Sequence, residues 1–210
     1  MRRRDDLHPF GRPATAAERD KLSRALGRWR SVAGFGRILR RSLRPSGDHV
    51  LDHPGTTHYR EAMTALAIAE ATGAELLRLG EDPPDFELST AGRVTRCEAV
   101  EVLPAGRERG RELKAARCLS PATRRKPQFV GEDEFLPTAG ALAKLVAEVN
   151  KKAKKPYPPG LILCAYINLG FLADARAFEQ GIAAAVAGGF PTFSEVWVLY
   201  RGAVTRFAPP

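Results

Sequence analysis

A chain of 210 residues is long enough for one well-buried core with an appendage, and short for two full domains. Apolar residues make up 44% and charged residues 27%, which excludes wholesale disorder. No apolar run approaches the roughly 18–20 residues of a membrane-spanning helix. The net charge of +9 is unevenly held: residues 1–50 carry 13 Lys and Arg against 5 Asp and Glu, whereas residues 51–210 carry 20 against 19.

That block of +8 suits an arm that meets a polyanion, because each phosphate neutralised by Arg or Lys releases condensed counterions. The plain alternative is a basic, solvated helix. The opening Met1–Asp6 has no apolar h-region, so no secretory leader is expected. Three cysteines, Cys97, Cys118 and Cys164, with no close pair, speak against a disulfide framework or a zinc site. A soluble, cytoplasmic protein without membrane contact is the expectation.

In chain order, the first predicted helix starts at Thr15 or Ala16, has Glu18 and Asp20 in its first turns, and spaces Leu22, Leu26 and Trp29 helically. Ile38 and Leu39 suggest a short second helix among Arg37, Arg40 and Arg41. Pro45-Ser46-Gly47-Asp48 breaks the pattern, so residues 1–45 read as a basic helical arm and residues 46–210 as the main domain. Thr57 is a fair N-cap for a helix over 58–72, which Gly73 stops. Strands follow over Ala74–Leu79, Asp85–Leu88 and Arg93–Leu103, the last two joined by an Ala91-Gly92 turn.

Residues 107–131 are dense in Arg and Lys. Phe135 to Lys152 carries the clearest helical stripe of the middle section, with Leu136, Leu142, Leu145, Val146 and Val149 on its apolar side. Leu161–Leu169 is nearly continuous apolar sequence, as in a central strand covered on both faces. A helix over Leu172–Ala187 and a hairpin of Glu195–Tyr200 with Ala203–Phe207 complete the chain. From residue 57 the order is α-β-β-β-α-β-α-β-β. This is an α/β arrangement, a central mixed sheet flanked by helices.

The chemistry concentrates in Pro84-Asp85-Phe86 and in the strand Arg96 to Leu103. Side chains alternate along a strand, so Cys97, Ala99, Glu101 and Leu103 share one face, and Glu98 shares the other with Arg96, Val100 and Val102. Glu101 is an acid among small and apolar neighbours, a setting that demands a compensating cation or donor. Asp85 opens the preceding strand of the same hairpin. Two such carboxylates make a hard oxygen site for Mg²⁺ or Mn²⁺, which takes one or two protein carboxylates together with waters and phosphate oxygens. The structural alternative is a Pro-Asp turn device and an edge charge that deters aggregation.

A helix, a strand, Pro-Asp-Phe opening a second strand, an acid-bearing third strand, then helix and strand: residues 57–170 resemble the PD-(D/E)XK nuclease superfamily, the restriction-endonuclease-like fold. The resemblance implies phosphodiester hydrolysis of DNA or RNA, with Asp85 and Glu101 as metal ligands and Glu98 as the competing frame. It also implies a Lys two residues after the acid, where this chain has Leu103, or Val100 in the other frame. Family members relocate that Lys to a nearby helix, which makes Lys114 or the Lys151-Lys152 pair a candidate. A family Glu on the helix before the first strand would match Glu61 or Glu70. The departure at Leu103 leaves open a catalytically inactive member that binds nucleic acid or a protein partner.

Arg107, Arg109 and Arg111, with Lys114 and Arg117, are candidate phosphate clamps, and Arg37, Arg40 and Arg41 are candidate contacts of the basic arm. The former group reads equally as a solvated helix paired with Glu108 and Glu112. Lys151, Lys152, Lys154 and Lys155 suit the negative end of a helix dipole. The histidines His8, His49, His53 and His58 have loose spacing and interrupted geometry for a metal site. Cys164 and the aromatics Phe193, Trp197, Tyr200 and Phe207 read as core.

Overall fold

A computed structural model of the chain describes residues 15–43, 57–81, 83–103, 136–169 and 172–210. The candidate residues Arg107, Arg109, Arg111, Lys114 and Arg117, and His8, His49 and His53, lie outside the described residues. Five α-helices are described: α1 (Ala16–Leu26), α2 (Val32–Leu43), α3 (Thr57–Thr72), α4 (Thr138–Ala153) and α5 (Ala175–Val186). Seven strands are described: β1 (Arg30–Ser31), β2 (Leu76–Leu79), β3 (Phe86–Thr90), β4 (Arg93–Val102), β5 (Ile162–Ile167), β6 (Glu195–Tyr200) and β7 (Ala203–Phe207). None of the described helices is long and apolar enough to cross a membrane.

The strands lie side by side in chain order in one mixed sheet. β1 through β4 form an antiparallel meander, β4, β5 and β6 run parallel, and β7 returns antiparallel to β6. Tight turns at Ala91-Gly92 and Arg201-Gly202 use positive φ at both central residues, the conformation that lets a two-residue loop follow the twist of its strands. The two parallel connections need crossovers, and α4 and α5 supply them.

Strand alternation divides the core. α1, α2 and α3 pack with Leu77, Phe86, Leu88, Cys97, Ile162, Cys164, Trp197 and Leu199 on one face. α4 and α5 pack with Val100, Val102, Leu163, Ala165, Ile167, Val196 and Val198 on the other. The near-continuous burial of β5 follows from this double cover, as its unbroken apolar sequence implies.

The described part of the N-terminal quarter packs against the sheet. Leu22 and Leu26 of α1 and Phe35 and Leu39 of α2 are buried in the same core as α3 and β2. Residues Arg30 and Ser31 add a strand to the sheet edge. α1 has a complete capping box, Thr15 with Glu18, and stops at Leu26 on Gly27, so Trp29 lies in the connection to β1 and not on the helix. α2 is longer than Ile38 and Leu39 suggest, because its apolar stripe engages the sheet.

The turn between β2 and β3 admits only glycine at its start. A Cβ on Gly80 would lie 1.9 Å from the backbone oxygen of Pro84, and Gly80 N–H donates to the Asp85 carbonyl at 2.9 Å. Gly80→Ala forces backbone apart, an overpacking that costs about 1–3 kcal/mol. Urea unfolding is expected to show a lower midpoint with unchanged slope. Wild-type stability in that variant would show that the turn does not need this close approach.

Candidate functional site

β3 begins at Phe86, opposite Cys97, whereas β4 continues to Val102 along β5. Among the described residues, the β3 side of β4 therefore has no strand partner beyond Cys97. Asp85, the residue just before β3, fills the gap: its Oδ2 accepts the Ala99 N–H at 2.7 Å. A charged acceptor on a backbone donor is among the stronger hydrogen bonds, and it fixes where this carboxylate sits.

Two residues further along β4 stands Glu101, in register with Tyr166 of β5. Its Oε1 accepts from Asn168 Nδ2 at 2.7 Å, and Asn168 N–H donates to the Val102 carbonyl at 3.0 Å, which extends the ladder past the end of β5. Ala99 and Glu101 share a face, that of Cys97 and Cys164, and are separated by about 6.6 Å of strand rise. Asp85 thus meets β4 at the Ala99 backbone, and Glu101 stands two residues further along, near the carboxyl ends of the parallel strands. Ligand sites of open α/β sheets gather at that end.

Cys164 lies on this face as well. Burial pushes its thiol well above the usual range, and the hydrogen bond with Cys97 and the nearby Asp85 carboxylate add to that. Both Cys97 and Cys164 are buried free thiols, in keeping with a core role. Glu70 of α3 lines a cleft of about 410 Å³ whose wall includes Tyr166 and Leu199. Among the described residues no group of three or more His, Cys, Asp or Glu side chains gathers for a metal.

Glu98 occupies the opposite face and has a different setting. It is 2% exposed, and its Oε1 accepts from Lys152 Nζ at 2.5 Å and from the Tyr157 hydroxyl at 2.7 Å. Its Oε2 has no hydrogen-bond partner among the described residues. Lys152 sits in the last turn of α4, which packs on this face, so its ammonium serves Glu98 on the side of the sheet away from Ala99 and Glu101. Lys151 is exposed and lies 3.8 Å from Glu148. The Lys151-Lys152 pair therefore does not supply the relocated lysine. Its sequence position fits the reach of α4, but helical phase directs Lys152 to Glu98 and Lys151 to solvent.

Asn168 is the residue that sequence reading passed over. The available signal was a single amide directly after the apolar run of β5, at the strand end where ligand-facing groups collect. Of the α2 arginines, Arg37 and Arg41 line one cleft, while Arg40 folds back along the helix toward Gly36.

Comparison of the chain with family models, with curated proteins and with solved structures gives no match.

Removing one member of a buried ion pair strands the other charge. Lys152→Met is expected to lower unfolding stability by about 3–5 kcal/mol. Adding Glu98→Leu should restore most of that loss, because well-packed apolar replacements of a buried pair are close to neutral. Urea denaturation of the two variants checks this, and a double variant no more stable than Lys152→Met would contradict it.

Proposed function

We propose that this chain is a nuclease-like protein that hydrolyses phosphodiester bonds of DNA or RNA with a divalent metal held by Asp85 and Glu101. The observation that carries the reading is the Asp85–Ala99 hydrogen bond, which holds the Asp85 carboxylate at a β4 backbone N–H two residues before Glu101. The order helix, three-stranded meander, helix, parallel strand, over α3 to β5, supports it, as does the resemblance of Pro84-Asp85-Phe86 and Glu101 to the PD-(D/E)XK pattern.

The donor set fits Mg²⁺ or Mn²⁺: two hard carboxylates suffice, since Mg²⁺ completes its six positions with waters and phosphate oxygens. When bound, the metal supplies a more acidic water and a counter-charge for the phosphorane-like transition state. The chain's own residues do the positioning. Ala99 N–H holds the Asp85 carboxylate against β4, and the Asn168 amide holds that of Glu101. Both are fixed before substrate arrives, which limits reorganisation at the reacting phosphate.

A second reading, a non-hydrolytic module that binds nucleic acid or a protein partner, is favoured by Leu103 at the family's Lys position and by the pairing of Lys152 with Glu98.

Incubation with single-stranded DNA, plasmid and RNA in Mg²⁺ or Mn²⁺ decides between the two. Cleavage that EDTA abolishes, and that falls about 100-fold or more in Asp85→Asn and in Glu101→Gln, is expected; removing a group that only supports a metal ligand already costs ten- to a hundredfold. Asn168→Ala should lose about 10-fold or more, by releasing Glu101. Retention of nucleic acid without cleavage in any metal would replace the first reading by the second.

A further inference from the structure

A cleft of about 670 Å³ opens at the β1 edge of the sheet, lined by Trp29, Arg30, Ser31, Arg37 and Arg41 together with Gly34 and Ile38 of α2. Gly34, Arg37, Ile38 and Arg41 follow i, i+3, i+4, i+7 spacing, so one helical face forms one wall. The opposite helical face, Phe35 and Leu39, is buried against the core and holds that wall in place. Three of the seven lining residues are arginines, and none is acidic. Arg37 and Arg41 are exposed. Arg30 is anchored by donating from Nε to the Ala25 carbonyl at 3.3 Å.

The aromatic residue is held in place too. The Arg78 guanidinium lies 4.9 Å from the centre of the Trp29 ring, and Arg78 is itself paired with Glu87, which is 9% exposed. A buried carboxylate fixes a cation, and the cation fixes the indole at the cleft. A cation on the ring is attractive by about 0.5–2 kcal/mol. The orientation of Trp29 is set before any ligand arrives.

We propose that this cleft binds single-stranded nucleic acid, with Trp29 stacking on an unpaired base and Arg37, Arg41 and Arg30 taking successive backbone phosphates. Stacking platforms flanked by cations are how strands are held without sequence preference. A duplex keeps its bases paired and offers no face to the indole, so the aromatic wall selects the single strand. The site lies on the edge strand β1, three strands from β4, and needs no metal and no carboxylate. The inference rests on the preceding reading only for its class of ligand.

The test is binding of a short oligothymidylate to the full chain in EDTA at low salt, followed by tryptophan fluorescence. The chain has two tryptophans, and Trp197 is buried at 5% exposure, so quenching reports Trp29. Quenching on titration is expected. Trp29→Leu should abolish it and weaken binding about tenfold, with Trp29→Tyr restoring affinity. Arg37→Gln with Arg41→Gln, both at exposed positions, should weaken binding about tenfold or more and lower the log–log salt slope by about 0.7 per arginine. Duplex bound as tightly as the single strand, or affinity unchanged in both sets of variants, would overturn the proposal. Because no metal is present, binding does not draw on the hydrolytic reading; oligonucleotide binding that persists where cleavage is absent separates failure of the nuclease reading from failure of this one.

Discussion

The acceptance of the Ala99 N–H by Asp85 is the contact on which the candidate site depends. β3 begins opposite Cys97, and among the described residues β4 runs on beyond it without a strand partner on that side. A backbone donor left unpaired in a half-buried position costs about 1–3 kcal/mol, and the Asp85 carboxylate removes that penalty at 2.7 Å. The same bond that completes the ladder also fixes the Asp85 carboxylate at the Ala99 N–H, two residues before Glu101 on β4. Gly80, which lets the turn close against Pro84, sets where Asp85 enters the strand. Turn, ladder end and carboxylate therefore form one unit.

The sheet keeps two acids of β4 apart by strand alternation alone. Glu98 points into the layer of α4 and α5, where it pairs with the Lys152 ammonium and accepts from the Tyr157 hydroxyl. Glu101 points to the other face, where the Asn168 amide donates to it.

Much of the fold was legible because its elements have the patterns that secondary structure requires. The continuous apolar run of β5, the Ala91-Gly92 and Arg201-Gly202 turns and the stripe of α4 each mark one element, and all stand within a few residues of their expected bounds. β1 was not legible: two residues carry no alternation to detect, and only pairing with Leu76 and Leu77 makes them a strand. The packing of the basic N-terminal quarter was not legible for a related reason. Its charge dominates the composition, but Leu22, Leu26, Phe35 and Leu39 bury against the sheet and settle its position. The places of Asp85 just before β3 and of Glu101 on the Cys97 face of β4 were readable from turn signal and alternation. Asn168 and the pairing of Lys152 with Glu98 were not, since both join residues more than fifty positions apart through the stacking of α4 and β5 on β4.

Diffraction from crystals soaked in Mn²⁺, recorded for anomalous signal, tests most directly whether these two carboxylates hold one ion. The account predicts a single strong peak about 2.0–2.3 Å from an oxygen of each, on the Cys97 face of β4. A peak elsewhere, or carboxylates that stay too far apart for one ion to bridge them, would contradict it.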